Sequence, residues 1–254
     1  GKYYIVIGDD DPSIEKYKSD HGERLAIFSK ADYVKSTDRM GLDITKVICF
    51  ARNACFDIAR SLGLKYFMQM DDDYKCFKWG FNSELKYITK QHRLKNYNLL
   101  VKNMLEFYEK LPDKCLGIAH AQGGDFIGGG GDDSWGFSKT RKCMNSWMCS
   151  VDRQFAFQGC MNEDVNAYTK YQSMGYFFFT IMHVRLDQPV TQSTNSGMTS
   201  IYKKYGTHVK SFLTVMLNPS FTKVGVITNQ EQRLHHNIKW ERCAAKIIRE
   251  THKK

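Results

Sequence analysis

Three consecutive carboxylates, Asp71-Asp72-Asp73, follow the largely apolar run Tyr66-Phe67-Met68-Gln69-Met70. Neighbouring carboxylates repel one another, so the cluster makes chemical sense beside a cation. Hard oxygen donors select Mg²⁺ or Mn²⁺, and such an ion would in turn hold a diphosphate. Strand alternation would place Asp71 and Asp73 on one face and Asp72 on the other. The triplet also suits a plain turn, because Asp is a turn former. A second acidic element, Phe157-Gln158-Gly159-Cys160-Met161-Asn162-Glu163-Asp164-Val165, leads into a helical pattern. A carboxylate mounted there could take the proton of an attacking hydroxyl, with Asp164 the first choice as base and Glu163 beside it. Helix capping explains the same residues, with Asn162 as N-cap and two acids in the first turn. A third stretch runs from Thr194-Asn195-Ser196-Gly197-Met198-Thr199 to Gly206-Thr207-His208-Val209-Lys210-Ser211-Phe212. Small polar residues followed by Lys210 could wrap a diphosphate through backbone N–H groups and an ammonium, or could form a loop leading to an edge strand.

These residues need elements to position them. Tyr4 to Ile7, Leu25 to Phe28 and Val47 to Phe50 are short apolar runs of strand length, the first closed by Gly8 and an acidic turn. From Arg52 to Leu64 the apolar positions Ala54, Cys55, Ile58, Ala59 and Leu62 follow helical spacing, with Gly63 as the stop. Strand, helix, strand with short connections predicts a parallel α/β sheet ending at Asp71, and ligands collect at the carboxyl ends of such strands. Farther on, the pattern predicts a helix over Tyr97 to Leu111 and a strand over Leu116 to Ala119. Gln154 to Phe157 reads as a strand, Glu163 to Met174 as a helix and Tyr176 to Val184 as a strand. Gln122 to Thr140 is glycine-rich and reads as a mobile loop, with Phe126 and Trp135 suited to an acceptor-side lid. Residues 230–254 are basic and read as a helical tail to a single domain over 1–229.

The chain has 254 residues, with 37 Lys+Arg against 27 Asp+Glu and a net charge of +10. Its apolar content of 42% and four prolines exclude a disordered or fibrous chain. No apolar run reaches the roughly 20 residues of a membrane span. Eight cysteines include no C-x-x-C pair, which argues against a zinc ribbon; Cys49, Cys55 and Cys243 read as core residues. The strand-like run begins directly after Gly1-Lys2, so no signal peptide is expected, and reduced thiols in the cytoplasm are. The positive balance would attract a polyanion such as nucleic acid, as would the cations and rings interleaved between Lys75 and Lys102, among them Trp79, Lys86, Arg93 and Tyr97. A solvated helix and loop explains that interval equally well.

The combination of Ala51-Arg52-Asn53 at a helix with a strand ending in Asp71-Asp72-Asp73 resembles nucleotide-sugar glycosyltransferases of the GT-A fold, with Cys55 where glycine is usual. That resemblance implies a Rossmann-like nucleotide-sugar-binding sheet flanked by helices, in one domain with insertions. Asp73 would ligate a divalent metal, Asp71 would share it or contact the ribose, and Arg52 would lie near the nucleotide. A late histidine, His183 or His208, would add a metal ligand. The Asn162-Glu163-Asp164-Val165-Asn166 element and the stretch from Asn195 to Phe212 resemble the TET/JBP-associated glycosyltransferases, found mainly in bacteriophages. This implies transfer from a UDP-sugar, with Mn²⁺ or Mg²⁺, to a hydroxymethylated base in DNA, foremost 5-hydroxymethylcytosine, in a host cytoplasm. Asn195, Ser196, Gly197 and Lys210 would contact the donor, and no membrane is involved. The competing readings are a protein or glycan hydroxyl as acceptor, an inactive DNA-binding relative, and a nucleotidyltransferase, which neither the Arg52-Asn53 helix nor the Glu163-Asp164 element supports.

Overall fold

The computed structural model describes residues 2–39, 41–42, 47–88, 92–122, 137–138, 143, 146–188, 201, 204–228, 232–244 and 246. Strands β1 (Ile5–Gly8) and β2 (Leu25–Phe28) pair in parallel, joined by α1 (Ile14–His21). Helices α2 (Lys30–Ser36) and α3 (Ile48–Ser61) follow. The apolar run at Val47 to Phe50 is therefore the entry to α3 and not a third strand; four apolar residues cannot distinguish the two, and Ala51 and Ala54 carry the helical period onward. The helix ends as its sequence predicts. Gly63 takes φ +67°, and the N–H groups of Gly63 and Leu64 reach the carbonyls of Arg60 and Ala59, a Schellman closure that favours glycine at this position.

The main sheet runs β3 (Tyr66–Met70), β7 (Ser146–Ser150), β5 (Cys115–Gln122), β8 (Phe177–Asp187), β4 (Cys76–Trp79), with the short β6 (Phe137–Ser138) also on β8. It is mixed, not parallel: β7 is antiparallel to both β3 and β5, whereas β5 and β8 are parallel. Two antiparallel steps restore direction, so β3, β5 and β8 all end at one edge of the sheet. That edge carries Asp71, Gln122 and Asp187. Between His120 and Ala121 the β5 register on β8 jumps from Ile181 to Arg185, a bulge that sets His183 outside the regular ladder.

Alternating side chains feed two cores. One face packs Ala119, Trp147 and Phe178 against α3 and α5 (Glu163–Ser173). The other packs Ile118, Met148 and Phe177 against Met104 and Tyr108 of α4 (Tyr97–Lys110). Residues 154–157 are extended but join no ladder, contrary to the strand reading. Side chains satisfy their backbone instead: Ala156 donates to the Tyr171 hydroxyl and Phe157 to Asn53 Oδ1. Past residue 200, α6 (Thr207–Leu217) precedes a hairpin of β9 (Thr222–Thr228) and β10 (Gln232–Ile238), then the short α7 (Trp240–Cys243). The expected helical tail is thus a strand over 232–238, and the expected loop at Thr207 to Phe212 is helix. Most of the Gln122 to Thr140 loop lies outside the described residues.

Candidate active site

Arg52 organises the carboxylates. It sits in the middle of α3, is only 5% exposed, and aims its guanidinium at the carboxyl edge of the sheet. One terminal nitrogen donates to Glu163 Oε1; the other donates to Asp71 Oδ1 at 3.1 Å and Oδ2 at 3.4 Å. The guanidinium also lies over Trp147, 4.4 Å from the ring centroid. A fork that meets two acids and a ring face at once uses the geometry arginine has and lysine lacks. Burial alone would favour the neutral form of Arg52, but the pull of Glu163, Asp71 and Asp164 outweighs it and raises its pKa. Conversely, desolvation holds the Asp71 carboxyl above its ordinary value, partly countered by Arg52 and reinforced by Asp73 and Asp72.

Backbone contacts fix this arrangement. Gln69 Nε2 donates to the Arg52 carbonyl at 3.0 Å, tying α3 to β3 two residues before the acidic run. Asn53, whose partner no local pattern announces, clamps Phe157 from both sides, accepting its N–H at 2.8 Å and donating to its carbonyl at 3.1 Å. Beyond Phe157 the chain turns sharply through Gly159 at φ +78° and Asn162 at φ +52°. Asn166 Nδ2 braces the turn by donating to Gln158 and Met161 carbonyls, both at 3.0 Å. A side chain at Gly159 would fall 2.9 Å from that same nitrogen, so glycine serves here both for φ and for space. Asn162 does not cap α5, contrary to the capping expectation; its amide turns away to α6 and β10.

The strand ends at Met70, so alternation does not extend through the triplet. Asp71 points inward to Arg52, whereas Asp72 and Asp73 are exposed on a bend. Glu163 is buried in its ion pair, and Asp164, less buried, borders a small gap in the core beside Trp147, Phe157 and Tyr168 that has no room for a water. Arg52, Asp71, Glu163 and Asp164 are therefore gathered as one site. Lys210 lies in the first turn of α6, where its carbonyl receives Asn162 Nδ2 at 3.1 Å. His183, half-buried in the β8 bulge, has its pKa depressed by burial; His208 is exposed and packs against Gly206. Among the described residues no three His, Cys, Asp or Glu gather as a metal cage, so neither histidine completes one with Asp71 and Asp73. Asn195, Ser196 and Gly197 lie outside the described residues.

One feature absent from the sequence reading borders this edge. His120 on β5 is fully enclosed, with Nδ1 3.1 Å from Ser146 Oγ and the ring 4.9 Å from that of Phe77. Ser146 pairs with Met70, directly before Asp71. Burial pushes the His120 pKa down to about 3, and its Nε2 has no hydrogen-bond partner.

An α/β sheet with acids at the carboxyl end of one strand, bridged by a buried arginine to a second acidic pair at a helix start, is compatible with a GT-A-like glycosyltransferase domain. The family comparison agrees: the model of the TET-Associated Glycosyltransferase family matches residues 1–197. The chain belongs to that family and is a glycosyltransferase. No curated protein and no solved structure matches it. Among the described residues, no helix is long and apolar enough to cross a membrane.

Proposed function

We propose that this enzyme transfers a sugar from a UDP-sugar to the hydroxymethyl group of 5-hydroxymethylcytosine, or a related hydroxymethyl base, in DNA, and that it is phage-encoded and acts in the host cytoplasm. The observation that carries the reading is the Arg52 bridge, which joins Asp71 at the strand end to Glu163 at the start of α5. Arg52 donates directly to Glu163, and in this reading the two neighbouring acids take different roles. Glu163 orients the arginine, and Asp164 is the base. As the acceptor oxygen bonds to the anomeric carbon, the bond from that carbon to the UDP diphosphate breaks and the acceptor proton passes to the Asp164 carboxylate.

A divalent ion fits this edge. Mg²⁺ or Mn²⁺ needs only one or two carboxylates when phosphates and water supply its other ligands, and Asp73 is exposed beside the half-buried Asp71. When bound, the ion would neutralise charge on the diphosphate leaving group. Support for a polyanionic acceptor comes from β4 and the residues on either side of it. Lys75, Lys86 and Lys95 are exposed there, with Trp79 40% exposed among them.

The test is release of UDP from a panel of UDP-sugars with Mn²⁺, with and without 5-hydroxymethylcytosine DNA. Stimulation by that DNA, with a matching mass gain on the base, is expected. Turnover indifferent to DNA would overturn the acceptor in favour of a protein or glycan hydroxyl. DNA binding without turnover of any donor would identify an inactive relative.

A further inference from the structure

The Asn162 side chain makes contacts that neither helix capping nor the transfer reaction requires. Its Nδ2 lies 2.9 Å from Thr214 Oγ1 and 3.1 Å from the Lys210 carbonyl, both on α6, and 3.2 Å from His236 Nδ1 on β10. Thr214 spends its hydroxyl proton on the same Lys210 carbonyl at 3.0 Å, so its oxygen faces Asn162 as an acceptor. The amide nitrogen therefore meets acceptors on every side, which fixes its orientation and calls for an unprotonated Nδ1 on His236. Thr214 and His236 are both buried. Asn162 itself holds a left-handed backbone, φ +52°, that a non-glycine residue keeps only under surrounding constraint. Directly after it come Glu163, which meets Arg52, and Asp164.

We infer that Asn162 is a positioning residue for the Asp164 base, held in register by Thr214 and His236. The inference rests on the reading of Asp164 given above. Its consequence is that α6 and β10, which lie past residue 197 where the family match ends, belong to the frame of the active site. Releasing the amide lets the first turn of α5 shift, and a displacement near 1 Å at a reacting group costs about a hundredfold in rate.

Asn162→Gly tests this because glycine keeps the backbone conformation and removes only the amide. UDP release over a donor series at saturating acceptor is measured for wild type, N162G, D164N and N162G/D164N, with T214V as a second route to the same contact. N162G is expected to lower kcat roughly 10- to 100-fold, within that displacement limit, with the donor KM within about twofold, and T214V to lower it in the same direction. In the D164N background, N162G is expected to change the residual rate less than about threefold, because the group it positions is gone. Equal fold-losses in both backgrounds would overturn the inference and leave Asn162 a purely structural tie. Unchanged kcat in N162G would overturn it too. Wild-type rates in D164N would instead refute Asp164 as base, a distinguishable failure.

Discussion

Replacing Arg52 by Met keeps an unbranched chain in the slot between Trp147 and the two acids but removes the charge. At the 3.1 Å separation from Asp71, the Coulombic attraction in an effective dielectric of 20 is about 5 kcal/mol. Desolvation of a side chain 5% exposed cancels most of that, so the intact bridge contributes little net stability. Breaking it is different. Glu163, 9% exposed, would be left as a buried carboxylate without its cation, and losing one partner of such a pair costs about 3–5 kcal/mol. The lost face contact with Trp147 adds roughly 1 kcal/mol. Against a typical domain stability of about 5–15 kcal/mol, R52M should unfold at a much lower urea concentration with an unchanged m-value. The diagnostic is the second substitution: Glu163→Gln in the R52M background removes the stranded charge and should restore roughly 2 kcal/mol, without restoring transfer. Urea denaturation followed by tryptophan fluorescence measures all three proteins. A loss under 1 kcal/mol in R52M, or a double variant less stable than R52M, would refute the bridge as described.

Three further outcomes are expected. Asp73→Ala should abolish transfer while shifting stability by less than about 0.5 kcal/mol, since Asp73 is exposed; full activity would remove it from the metal site. His120 is kept neutral by burial, its pKa pushed down from 6.5 to about 3, so below pH 6.5 the unfolded chain binds a proton that the native chain does not. Stability then falls with acidification, and the slope from this group ends as pH nears 3; His120→Leu should lessen the loss between pH 6.5 and 5 by about 2 kcal/mol in urea titrations. Gly159→Ala should destabilise by about 1–3 kcal/mol, because φ +78° disfavours alanine and its Cβ would meet Asn166 Nδ2 at 2.9 Å and Leu217 at 3.1 Å; an unchanged melting temperature would contradict that packing.

The parts of the fold legible in the sequence are those set by local pattern. The α3 period, its Gly63 stop, β3 running into the acidic triplet and the buried α5 all follow from spacing and turn chemistry over fewer than about 20 residues. What was not legible depends on partners far along the chain. Residues 154–157 have a strand's composition, yet their hydrogen bonds go to Asn53 and Tyr171, so no ladder forms. The β10 strand reads as a basic helix because one of its buried positions is His236, a residue that contributes no apolar period. Helix α6 did carry a readable signal, Val209, Leu213 and Leu217 at four-residue spacing, that the glycine and polar residues before it obscured.

The same distinction governs the site. Two adjacent acids at a helix start look alike in sequence, and composition cannot say which of them an arginine grips. The answer lies 111 positions upstream of Glu163, in the arginine that takes it. Arg52 donates directly to Glu163, and Asp164, one residue on, also pulls on its charge. On the proposed reading Glu163 holds the arginine and Asp164 takes the proton. Shortening the carboxylate's reach by one methylene, as in Glu163→Asp, should weaken the hold on Arg52 and lower the rate of UDP release while Asp164 itself is unchanged; an unaltered rate would remove Glu163 from that role.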